Sequence, residues 1–73
     1  MTKKRIGCLV YNSAEDRYQI RFGSDDYSST FHCGEVLEIK IMNRWKSVRM
    51  EYNSKGWYLV GHGSDITGLM ARL

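Results

Sequence analysis

Apolar and polar residues alternate along three short segments of the chain, and this alternation restricts the fold more than any other feature. In "RYQIRF" (17–22) every second residue is apolar, and "EVLEIKIM" (35–42) and "WKSVRMEY" (45–52) continue the pattern. A period of two is that of a β-strand with one buried face. No segment carries a helical period over about ten residues, so the sequence predicts an all-β domain.

Two further segments are candidate strands. "RIGCLVY" (5–11) is a continuous apolar run, which fits a strand buried on both sides or a short buried segment, and "GWYLVG" (56–61) is a short aromatic strand. "ITGLMARL" (66–73) closes the chain. The polar stretch 23–34 is a long connection, which we expect to be the most mobile part of the domain. Short antiparallel strands at close spacing favour a small barrel, because closure leaves no free sheet edge.

The alternation also predicts how the strands pair. A two-residue turn over 43–44 would place Ile39 opposite Val48 and Leu37 opposite Met50, so that apolar pairs share one face. It would also place Glu38 opposite Arg49.

A loop over 53–56 would place Tyr52 opposite Trp57 and Met50 opposite Leu59. The two hairpins then share an inner face made of Leu37, Ile39, Val48, Met50, Trp57 and Leu59. The residues predicted to lie on the outer face are Val36, Met42, Trp45, Arg49, Tyr58 and Val60.

Length and charge describe a single small domain over 1–73 with a basic N-terminal arm over 1–5. The chain has 73 residues, so its core is small and its stability modest. The net charge is +3, yet residues 13–35 hold two bases and five acids, and residues 36–73 hold six bases and three acids. The charge outside the arm sums to zero, so nucleic-acid binding would depend on the basic half, 36–73, and not on the net charge.

Several classes of function are not expected. Cys8, Cys33, His32 and His62 lack the spacing of a zinc site, so no metal or cofactor is predicted. No nucleophile, base and orienting group fall together, so the chain is not expected to be an enzyme. No apolar run approaches the roughly 20 residues of a membrane span, and the expected location is the cytoplasm. Both thiols should then be reduced and buried.

Residues 33–73 resemble a Src-homology-3-like barrel. In such barrels a Gly-acid pair opens one strand and a tryptophan begins the next, and "CGEVLEI" and "RWKSVRM" match these two strands. A one-turn helix then precedes the last strand, and "SDITGLMARL" matches this part. The resemblance implies a small barrel of five or six antiparallel strands. Recognition of proline-rich peptides is not expected, since the chain has no proline.

The set "RYQI", "CGEVLEI", "W…RMEY", "WYLVG" and "ITGLMARL" is also similar to a family of short uncharacterised proteins. That family is a domain of unknown function in Gram-positive bacteria and their mobile elements. The resemblance implies no catalytic residue, and it favours an origin in a phage or plasmid.

The outer face of residues 36–60 is the candidate site, because Trp, Tyr, Met and Arg are typical of the centres of protein interfaces. The predicted partner-binding residues are Met42, Arg44, Trp45, Lys46, Arg49, Tyr58 and Val60. The partner would be a second copy or another protein, and the role that of an inhibitor or adaptor. Cover by the barrel's own curl or by the 23–34 loop is the structural alternative.

Nucleic-acid binding is the alternative function. The stretch 40–49 contains four bases and one tryptophan. Basic side chains can neutralise phosphates while an aromatic ring stacks on a base, and small barrels bind nucleic acid in this way.

Overall fold

A computed structural model describes residues 4–73, and they form an antiparallel sheet of seven strands. The order across the sheet is β3-β2-β1-β7-β4-β5-β6. The predicted all-β antiparallel class is confirmed. The strands, in chain order, are β1 Ile6–Asn12, β2 Arg17–Gly23, β3 Asp26–Tyr27, β4 Val36–Ile41, β5 Arg44–Asn53, β6 Gly56–Val60 and β7 Met70–Arg72.

The predicted closed barrel is not confirmed. Strand pairing within residues 4–73 does not join β3 to β6, so the sheet is open. The strand count is also larger than the five or six predicted, because the polar stretch 23–34 supplies β3, which shows no alternation in sequence. The one-turn helix expected before the last strand is missing from described residues 61–69, which form turns.

The β4–β5 hairpin has a different register from the one predicted. Its turn is Met42–Asn43, and Leu37 pairs with Val48 while Ile39 pairs with Lys46. Both turn residues have a positive φ, 50° and 67°, as a type I′ turn requires. Methionine is not a turn signal, which is why the turn was predicted one residue too late.

The error in register changed no residue's face. Each predicted pair was displaced by two positions, and side chains repeat every two residues along a strand. The predicted inner residues of β4, β5 and β6 are therefore buried, apart from Trp57, which is half-buried against the core. The predicted β5–β6 register, with Tyr52 opposite Trp57 and Met50 opposite Leu59, is confirmed.

The core lies on one face of the curled sheet and draws on nearly every strand. Phe31 joins it from the polar connection, where it had no strand pattern to reveal it. The buried apolar side chains are Leu9, Ile20, Phe31, Leu37, Ile39, Val48, Met50, Leu59, Ile66 and Ala71.

The connection from β3 to β4 is hydrogen-bonded to both halves of the sheet. The Phe31 N–H donates to the Tyr18 carbonyl of β2 at 2.8 Å, and the Gly34 N–H donates to the Met50 carbonyl of β5 at 2.8 Å. Segment 28–35 therefore crosses from β2 to β5 and covers the core with Phe31.

One side-chain hydrogen bond links β6 to the β1–β2 turn, which strand pairing does not join. The indole Nε1 of Trp57 in β6 donates to the backbone carbonyl of Asp16 in the β1–β2 turn at 2.7 Å. We call this meeting of β6 with the β1–β2 turn the seam. The free edge of β6 is partly occupied, because Leu59 exchanges backbone hydrogen bonds with Gly63 at 2.8 and 2.9 Å.

The described part of the N-terminal arm and the two cysteines lie on the surface of the domain. Residues 1–3 of the predicted basic arm lie outside the described residues, while Lys4 and Arg5 bond to Glu38 and Asp26. The expected burial of the thiols is wrong: Cys8 and Cys33 are free and exposed. Cys8 precedes buried Leu9 and so points to the opposite face.

Candidate protein-binding face

Trp45 lies on the sheet surface opposite the core, at the start of β5 and close to the β4–β5 turn. We call this surface, over β4 to β7, the outer face. The Arg72 guanidinium stands 4.1 Å from the centroid of the Trp45 ring, and the Lys40 ammonium stands 5.7 Å from it. Both distances are those of cation–π contacts. Lys40 pairs with Trp45 across β4 and β5, whereas Arg72 comes from β7 at the end of the chain.

Glu38 holds Arg72 in place over the Trp45 ring. Its Oε1 accepts a hydrogen bond from Arg72 Nε at 3.0 Å and another from Lys4. The hydrogen bond from Arg72, followed by that from Lys4, lowers the pKa of Glu38. The predicted pairing of Glu38 with Arg49 is wrong, since Glu38 lies opposite Ser47.

A second part of the outer face centres on Arg49. This residue lies between Val36 of β4 and Val60 of β6, which are 59% and 38% exposed. Its Nε donates to Glu51 at 2.8 Å. Tyr58 pairs with Glu51 and is half-buried. Two exposed valines thus flank a paired arginine.

The predicted site residues do not share one face. Trp45, Arg49, Tyr58 and Val60 lie on the outer face. Arg44 and Lys46 alternate with Trp45 along β5 and so lie on the other side of the strand. The ammonium of Lys46 donates to the backbone carbonyl of Gly61 there.

Met42 occupies the tip of the β4–β5 hairpin instead of the outer face itself. Its side chain is 93% exposed, and its φ of 50° lies in the left-handed region. Asn43 tolerates that region better than methionine does. The tip therefore presents an apolar side chain at a strained position.

Sequence reasoning missed several members of the outer face. Lys40 could have been found, because it alternates with Ile39 and Ile41. Arg72 and Met70 could not, because their contacts depend on β7 lying between β1 and β4. Ile6 and Met70, 52% and 46% exposed, extend the apolar part of this face toward β1.

Two general features of the described chain bear on the class of site. Among residues 4–73, no group of three His, Cys, Asp or Glu side chains is arranged to hold a metal ion. In the same part of the chain, no helix has the length and apolar character that crossing a membrane requires.

Comparison with known proteins identifies the family. A crystal structure of a protein from Ruminococcus gnavus matches with a TM-score of 0.86 and 38% sequence identity, over 94% of this chain and 100% of that chain. No curated protein matches. The family model described as a domain of unknown function, DUF5348, matches residues 7–73. The chain therefore belongs to the DUF5348 family.

Proposed function

We propose that this chain is a non-enzymatic protein-binding module whose outer face docks on an acidic surface of a partner protein. One observation supports this proposal above the others. On that face, apolar side chains lie beside cations: Val36 and Val60 flank Arg49, and Arg72 and Lys40 contact the Trp45 ring.

Apolar anchors supply the larger part of the binding free energy in such contacts. Aromatic, Met and Arg side chains are enriched at the centres of interfaces, where water is excluded. Val36 and Val60 are exposed on the two strands that flank β5, one on each side of Arg49. A partner that covers them removes apolar surface from water at little conformational cost, because strand residues are already ordered.

The charges of the outer face select the sign of the partner. Lys40, Arg49 and Arg72 lie there, beside Glu38, which is bonded to Arg72 and Lys4, and Glu51, which is bonded to Arg49. The cations outnumber the carboxylates. A partner with carboxylates at matching positions associates faster and in one orientation. A second copy is disfavoured, because two outer faces brought together would oppose cation to cation.

Nucleic-acid binding is less well supported. Stacking of a base on Trp45 requires a free ring face, and Arg72 stands 4.1 Å from the ring centroid. Arg44 and Lys46 lie on the other side of β5, so the basic residues of 40–49 do not form one continuous surface. Both points favour a protein partner.

The family resemblance favours one version of this role, an inhibitor or adaptor encoded by a phage or mobile element that covers a host protein. A cytoplasmic location suits two exposed free thiols, because thiols stay reduced in that compartment. We also infer kinship with Src-homology-3-like barrels, in keeping with the curl of the sheet around one core.

The test is affinity capture from a nuclease-treated bacterial lysate with wild type and Val36→Glu/Val60→Glu. Both valines are exposed, so the double variant should fold, and its new carboxylates should repel an acidic partner. We expect the variant to lose the captured protein. The matched control is Ser13→Glu/Ser54→Glu, with the same charge change in exposed turns, which should retain it.

Salt and nuclease separate the two functions. A contact with an apolar centre should persist as salt rises from about 50 to about 200 mM, whereas phosphate-driven binding should fall steeply. Capture that disappears with nuclease, or equal loss in both double variants, would contradict the proposal.

A further inference from the structure

A cleft of about 570 Å³ opens at the seam, on the side of the sheet opposite the outer face. Three parts of the chain form its walls: the β1–β2 turn, the β5–β6 hairpin and the segment that crosses from β3 to β4. The hydrogen bond from Trp57 to Asp16 holds the first two together. The cleft is therefore a consequence of how the open sheet curls.

One wall of the cleft is aromatic and fixed. The rings of Tyr52 and Trp57 meet edge to face with centroids 4.8 Å apart. Trp57 is half-buried and held by its indole hydrogen bond, while Tyr52 is 53% exposed. A ligand therefore meets a preorganised aromatic surface with one accessible ring.

The opposite rim is acidic. Glu15 accepts a hydrogen bond from Thr30 Oγ1 at 2.8 Å, and Asp16 accepts one from the Tyr11 hydroxyl. Each carboxylate keeps further acceptor capacity, because an ionised carboxylate has about four lone-pair sites. Within residues 4–73 neither one forms an ion pair with a base.

Arg17 shows which chemistry this wall accommodates. Its guanidinium stands 5.4 Å from the Trp57 ring centroid and donates to the Phe31 carbonyl at 3.2 Å. The chain itself thus places one guanidinium against the aromatic wall. Glu15 and Asp16 outnumber it, so the cleft keeps a formal negative charge.

We propose that the seam cleft binds an arginine side chain presented by a partner polypeptide. The aliphatic stem lies along Tyr52, and the guanidinium donates to the carboxylates of Glu15 and Asp16. Arginine fits better than lysine, because its planar fork pairs with carboxylates at two points and stacks on aromatic rings. The module then has two binding sites, one on each side of the sheet: the outer face for an acidic surface and the cleft for a basic side chain.

The test uses Trp57 as its own reporter. Trp45→Phe leaves Trp57 as the remaining tryptophan of the two in the chain. The probe is the blocked tripeptide acetyl-Gly-Arg-Gly-amide, and its matched partner carries citrulline, which has the same shape without the charge. We expect saturable quenching of Trp57 fluorescence by the arginine peptide, with at least fivefold weaker binding of the citrulline peptide.

Charge-neutral variants locate the site. Glu15→Gln/Asp16→Asn preserves the size of both side chains, and asparagine tolerates the positive φ of 53° at position 16. This double variant should bind the arginine peptide about fivefold more weakly, since two exposed ion pairs are lost. Asp25→Asn/Asp65→Asn makes the same charge change at exposed positions outside the cleft and should bind like the parent.

Three results of the peptide titrations would overturn the proposal. They are equal binding of the two peptides, equal weakening in the two double variants, and no saturable response to the arginine peptide. A Trp57 signal that changes with protein concentration alone would assign the cleft to a second copy and would likewise overturn it. Val36→Glu/Val60→Glu should leave peptide binding unchanged, which separates this site from the outer face.

Discussion

At the scale of the residue, Met42 has two properties that seldom occur together at a turn position. It is 93% exposed and apolar, and it holds a φ of 50°, which glycine and asparagine adopt at lower cost. Strain of this kind is retained where a side chain serves a contact. The tip of the β4–β5 hairpin is therefore a position at which a substitution can raise stability.

Met42→Asn should stabilise the protein. Asparagine suits the first central position of a type I′ turn, so we expect a gain of about 0.5–1 kcal/mol and a rise in Tm of about 4 °C. Thermal unfolding followed by circular dichroism measures it. Ser54→Asn, at a turn position whose φ is not positive, is the control and should change little. A loss of stability in Met42→Asn would mean that the methionine packs within its own chain.

Residue identity also explains what sequence could predict about the site. The alternation around Val48 and Met50 assigned Trp45, Arg49, Tyr58 and Val60 to the outer face, and they lie there. Arg44 and Lys46 belong to the other parity of the same strand, so alternation already argued against grouping them with Trp45. Arg72 lay beyond any local pattern, because its contact with Trp45 depends on strand order.

At the scale of the element, β1 and β2 approach so closely that one position requires glycine. A Cβ on Gly7 would meet the backbone carbonyl of Arg21 and would stand 2.7 Å from Ile20 Cγ2. The backbone of Arg21 cannot move aside as a flexible side chain can, so β1 and β2 would have to separate. Ile20 is fully buried, and the cost would reach the core.

Gly7→Ala should therefore destabilise the protein by about 2–3 kcal/mol, measured by urea unfolding. The matched control is Gly23→Ala in β2, where the nearest atom to an added Cβ is Asp26 Cβ at 3.8 Å. That variant should stay within about 0.5 kcal/mol of wild type. Equal effects of the two substitutions would show that the close approach at Gly7 does not limit the packing of β1 on β2.

Elements with an alternating or continuous apolar pattern were predictable, and those in polar sequence were not. The patterns around Ile20, Ile39 and Val48 gave β2, β4 and β5 with their buried faces. β3 and Phe31 lie in a polar stretch whose structure comes from hydrogen bonds to Tyr18 and Met50, elsewhere in the chain. The open sheet was missed for a related reason: closure depends on long-range pairing, which a single sequence does not specify.

At the scale of the whole molecule, the last strand joins two otherwise separate groups of strands. β7 lies between β1 and β4, pairing with Cys8 on one side and with Glu38 on the other. Its Ala71 is fully buried. Among the described strands, the group β1, β2 and β3 is joined to the group β4, β5 and β6 by strand pairing only through β7, Met70–Arg72.

Removal of residues 70–73 should therefore abolish cooperative folding, although it shortens the chain very little. The truncated chain loses both ladders of β7 and leaves the inner edges of β1 and β4 unpaired, a cost that a core this small cannot offset. Loss of the thermal transition and of dispersed amide resonances would be the observation. Met70→Ser/Leu73→Ser is the control, because both side chains are exposed and the backbone pairing stays. A truncated chain that still unfolds cooperatively would mean that the core and the 28–35 crossing hold the two groups together without β7.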